Sequence, residues 1–71
     1  MKIWLVIHQV FHGDLHIDAF RKIKNAEVCR DETLDNYERE GDGLTRDANA
    51  QNVWMGEDGE TYVEVRLVDL K

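Results

Sequence analysis

Residues 2–20 read KIWLVIHQVFHGDLHIDAF, and the architecture turns on how this segment folds. Its first eleven residues are rich in β-branched and aromatic types and too continuously apolar for a surface helix, so 2–12 reads as a first strand. Gly13-Asp14 is a turn signal, and Leu15 to Phe20 then alternates as a second strand. A three-residue loop His12-Gly13-Asp14 sets Phe11 opposite Leu15, Gln9 opposite Ile17 and Ile7 opposite Ala19. Opposed residues share a side, so Ile3, Leu5, Ile7, Phe11, Leu15, Ile17 and Ala19 gather on one face as the expected core. A two-residue loop changes the parity and sets Leu15 and Ile17 beside His12 and Val10. The three-residue loop gives the cleaner core.

Working outward, Asn25 is placed to cap a helix over about Ala26 to Glu40. Ala26, Cys29, Thr33, Leu34 and Tyr37 form a stripe at helical spacing, and Gly41-Asp42-Gly43 ends it. The stripe is thin and acids outnumber it, so the helix needs a sheet to lean on. Residues 44–52, LTRDANAQN, read as a polar connection. A second hairpin follows, with Glu57-Asp58-Gly59 as a three-residue loop carrying glycine in the left-handed position. That loop sets Val53 opposite Val63, Trp54 opposite Tyr62 and Met55 opposite Thr61, with Val65 and Leu67 continuing the inner face. The expectation is a single α+β domain over 1–71: ββαββ, an antiparallel four-stranded sheet with one helix packed on one face.

Seventy-one residues, 42% hydrophobic and 34% charged, are too apolar for a disordered tail and allow one modest core. No apolar run approaches the ~20 residues of a membrane span, and no signal-peptide pattern opens the chain, so the expected location is cytoplasmic. The net charge is −6, concentrated after residue 25, while residues 1–25 are slightly basic. Direct nucleic-acid binding needs clustered lysine and arginine that this chain lacks.

Catalysis finds little support. The sequence contains no serine, and Gly41-Asp42-Gly43 follows a helix where a phosphate loop would precede one. The lone Cys29 falls on the apolar stripe and reads as a small buried residue. No cofactor-binding motif is present, and the chain is expected not to be an enzyme. Histidines stand at 8, 12 and 16. In the register above His8 faces Asp18 and His16 lies one step along, so His8, His16 and Asp18 are the candidate metal or ligand-sensing set. A half-exposed polar sheet face with one His-Asp pair explains the same residues without a metal.

One helix covers one sheet face. Trp4, Val6, His8, Val10, Phe20, Trp54, Tyr62, Val68 and Leu70 are then left on the other, and Trp4, Trp54 and Tyr62 become the expected partner-binding residues. On this reading Trp54→Ala weakens association more than folding. The helix acids Glu27, Asp31, Glu32, Asp35 and Glu38, with Glu40, form a solvated face or a surface for a basic, nucleic-acid-binding region of a partner.

The opening KIWLVIH, the His-Gly-Asp turn and the closing ETYVEVRLVDL resemble small phage and prophage-encoded ββαββ proteins, a set that includes anti-CRISPR and other anti-defence proteins. The resemblance covers the two ends of the chain, and residues 41–52 depart from it. It implies a stoichiometric inhibitor or modulator that occupies the working surface of a host protein complex in the host cytoplasm, and it carries over no residue roles. The alternative from another class is a self-associating accessory module, a homodimer through the aromatic face.

Overall fold

β-branched and aromatic residues hold the two ends of the chain extended, and these ends pair with each other at the centre of the sheet. The computed structural model describes residues 1–10, 13–41, 43–50, 52–57 and 59–70. Its elements are β1 (Lys2–Gln9), β2 (Leu15–Phe20), α1 (Ile23–Arg39), β3 (Thr45–Arg46), β4 (Val53–Met55) and β5 (Tyr62–Asp69). They form an α+β fold with one helix and a five-stranded antiparallel open sheet in the order β2-β1-β5-β4-β3. The expected four strands are thus joined by a fifth.

That fifth strand comes from the segment expected to be a polar connection. Asp47 accepts the Asn49 backbone N–H on its Oδ1 at 2.9 Å, and its own N–H donates to the Val53 carbonyl at 2.8 Å. This aspartate-stabilised turn folds Thr45 and Arg46 back onto Met55 and Trp54. A two-residue strand has no periodicity to read.

The first hairpin keeps its expected parity and shifts register by two. Gln9 pairs with Leu15, Ile7 with Ile17 and Leu5 with Ala19. The Gln9 side-chain amide donates to the carbonyls of Val10 (3.1 Å) and Gly13 (3.2 Å), and Gly13 N–H donates to the Val10 carbonyl at 3.0 Å. These bonds support a wider loop than His12-Gly13-Asp14, and β1 ends at Gln9 rather than residue 12. Phe11 and His12 lie outside the described residues. His8 consequently faces His16, and Asp18 faces Val6.

The second hairpin shifts by one residue, which reverses every side chain. Val53 pairs with Glu64, Trp54 with Val63 and Met55 with Tyr62. Gly56 N–H donates to the Thr61 carbonyl at 2.8 Å and Gly59 N–H to the Gly56 carbonyl at 3.1 Å. Gly59 takes the expected left-handed conformation, φ 74°, while Asp58 lies outside the described residues. Trp54 and Tyr62 therefore stand on opposite faces.

The helix begins earlier than expected. Only Arg21 and Lys22 separate β2 from α1, Lys22 is the N-cap without a side-chain cap bond, and its carbonyl accepts from Asn25 and Ala26. Asn25 is inside the first turn rather than at the cap. Gly41, φ 85°, terminates the helix after Glu40, as its left-handed freedom allows. The stripe is as read: Ala26 is fully buried, and Cys29, Thr33, Leu34 and Tyr37 are half-buried.

The face under the helix is the opposite of the expected one. Val6, Ala26, Val63 and Val65 form the buried cluster, with Trp4, Phe20, Cys29, Leu34, Leu44 and Trp54 packed around it. Ala26 has 0% exposure; a methyl side chain there lets the helix approach Val6 and the two β5 valines closely. Ile3, Leu5, Ile7, Leu15, Ile17 and Ala19 do share a face, as expected, but it is the one without a helix. Both faces of β1 are apolar, so alternation alone does not choose between them. No helix among the described residues is long and apolar enough to cross a membrane.

Candidate functional site

The helix-free face is built from residues of odd number on β1 and β2 and even number on β5. Ile7 lies near its centre, between its cross-strand partners Ile17 and Glu64, and is only 7% exposed without belonging to the helix-side cluster. Around it, Leu15 and Ile17 are 51% and 55% exposed, Ala19 is exposed, and Leu5 is half-buried. An ion pair of Arg66 and Glu64 at 2.7 Å borders this patch along β5, with Tyr62, Met55 and Val53 beyond it. The result is an aliphatic surface with exposed Leu15, Ile17 and Ala19 and a charged border along β5.

The expected partner-binding aromatics divide between the faces. Trp4 and Trp54 are half-buried on the helix side, and Tyr62 lies on the open side opposite Gln9 and Met55. The guanidinium carbons of Arg30 and Arg46 lie 5.1 and 5.7 Å from the Trp54 ring centroid, within cation–π range. The parity slip in the second hairpin is the physical reason that Trp54 leaves the open face. Leu15, Ile17, Leu5 and Ile7 carry that face instead. Their signal was in the sequence, since a strand pair with two apolar faces cannot have both covered by one helix.

Of the helix acids, Asp31, Glu32, Asp35 and Glu38 are exposed and Glu27 is half-buried. Asp31 pairs with Arg30 at 2.9 Å and Asp35 with Arg39 at 3.0 Å. This acidic surface and the apolar face lie on opposite sides of the sheet. One flat partner surface cannot touch both.

A third feature is a shallow groove of about 380 Å³ lined by His8, Val10, Thr33, Asn36, Tyr37 and Glu40. The Tyr37 hydroxyl and His8 Nε2 hydrogen-bond at 2.5 Å, their rings meeting edge to face. The His16 ring centroid lies 5.8 Å from that of His8. Burial, and then the neighbouring His16, lower the His8 pKa from its ordinary 6.5. Because the folded state disfavours the protonated ring, its stabilising effect is complete above pH 6.5 and is lost as pH falls through the lowered pKa. The expected outcome is a fall in urea-unfolding midpoint between about pH 7 and pH 5 that His8→Gln flattens. A profile unchanged by His8→Gln would mean the ring is equally hydrated in both states.

The metal-ligand trio does not assemble. Among the described residues no group of three or more His, Cys, Asp or Glu side chains is arranged to hold a metal ion. Asp18 instead lies within 3.9 Å of the Cys29 thiol, which donates toward its Oδ2. Burial, then Asp18 and Glu32, raise the thiol pKa above 9.0, leaving Cys29 a neutral, weak nucleophile. No protein-family model matches the chain, and no curated protein or solved structure matches it either.

Proposed function

We propose that the chain is a small acidic protein-binding module that acts stoichiometrically, inhibiting or modulating a larger protein complex by docking through its helix-free sheet face. The observation that carries this reading is the helix-free apolar face, on which Leu15, Ile17 and Ala19 are exposed beside half-buried Leu5 and buried Ile7. Among the described hydrophobic residues only Val6, Ile7, Ala26, Val63 and Val65 are buried. So small a core gains from a partner that covers the second face. The exposed helix acids stand on the far side and act at longer range, speeding encounter with a basic partner. A phage-encoded anti-defence protein in the host cytoplasm is the form of such a module that the terminal segments suggest. The reading asks no chemistry of Cys29 or His8.

The test is capture of a partner by tagged protein at one-to-one stoichiometry, repeated with Ile17→Lys. The substitution should leave the circular dichroism unchanged and weaken capture at least tenfold, as a charge in a desolvated interface centre does. Undiminished capture by Ile17→Lys, together with loss on reversing Asp31, Glu32, Asp35 and Glu38 to lysine, would move the contact to the helix.

A further inference from the structure

The sheet has two edges, and they are unlike. β3 offers two residues, too few to template another strand, whereas β2 offers six, Leu15–Phe20, paired among the described residues only on its β1 side. Every residue of β2 except Phe20 is exposed. Long exposed edges carrying apolar side chains pair with another strand unless something covers them.

From the charge pattern of this edge we infer that β2 pairs antiparallel with β2 of a second copy, about a two-fold axis through Ile17. In that register Ile17 meets Ile17′, Leu15 meets Ala19′, and His16 meets Asp18′ twice over, the prime marking the second copy. The flanks match as well. Asp14 and Lys22 are both exposed, and antiparallel pairing sets Asp14 opposite Phe20′ and diagonally toward Lys22′ on the same face, with the basic Arg21-Lys22 end of one strand against the acidic start of the other. An isologous contact requires such self-complementarity, and a chain with net charge −6 needs a locally balanced strip to meet itself. Each residue keeps its face across the axis, so the Leu15–Ile17–Ala19 patches of two copies fuse into one apolar strip. The inference concerns the edge of the sheet and stands without any foreign partner.

Sedimentation equilibrium of the full chain up to hundreds of micromolar should give twice the 8.3 kDa of one chain. Asp14→Lys and Lys22→Glu should each raise the dimer dissociation constant about threefold, and the double variant should restore it. In a Cys29→Ala background, Ile17→Cys should cross-link under mild oxidant at least tenfold faster than Val28→Cys, an exposed helix position. Leu15→Cys mixed with Ala19→Cys should cross-link faster than either alone. A wild-type mass of one chain throughout the concentration range overturns the inference. So does cross-linking of Ile17→Cys no faster than Val28→Cys.

Discussion

Val63→Asp is expected to leave the chain unfolded at neutral pH, and Val63→Ala to keep the fold while losing about 2 kcal/mol of stability. Val63 is completely buried and sits in the helix-side cluster with Val6, Ala26 and Val65, paired to His8 on one side and Trp54 on the other. A carboxylate there has no cation in the cluster, and the effective cost of burying an unpaired charge is several kcal/mol. A domain of this length has only about 4–11 kcal/mol in total. Far-UV circular dichroism of Val63→Asp and urea unfolding of Val63→Ala check both halves. A folded, cooperative Val63→Asp would mean that the helix does not cover this position.

Trp54→Ala is expected to cost about 3 kcal/mol of folding stability. The indole packs against the buried cluster from β4 and lies under Arg30 of the helix and Arg46 of β3. It therefore ties three elements together, and Arg30, with a side chain only 20% exposed, loses the surface its stem packs on. Tyr62→Ala removes an aromatic from the open face of β5, one residue before Trp54's cross-strand partner Val63, and should cost less. Urea midpoints of the two variants rank them. If Tyr62→Ala were the costlier, Tyr62 rather than Trp54 would lie under the helix.

How much of this was legible in the sequence depended on what bounded each segment. β2 was readable to the residue because Gly13-Asp14 and Arg21-Lys22 punctuate both its ends. The helix stripe was readable because Ala26, Cys29, Thr33, Leu34 and Tyr37 recur at one period. A two-residue error in the first loop did little harm, since it preserved which residues share a face. A one-residue error in the second loop put Trp54 and Tyr62 on one face, because glycines at both 56 and 59 allow more than one turn. The covered face was the least legible property. Trp4-Val6 and Leu5-Ile7 are equally apolar, and the choice falls to tertiary fit, with the Ala26 methyl against the β1 and β5 valines and Tyr37 against His8. β3 depended on a turn made by the Asp47 side chain. The surface available to a partner is what remains after that fit, so it could not be read before it.

The most direct test of the account is urea unfolding of Ile17→Lys beside Trp54→Ala at sub-micromolar concentration, where self-association adds nothing to stability. With the helix over Trp54 and none over Ile17, Ile17→Lys should stay within about 1 kcal/mol of the wild type, and Trp54→Ala should fall well below it. The reverse order would place the helix on the Leu15–Ile17 face and remove the docking surface, contradicting the account at its base.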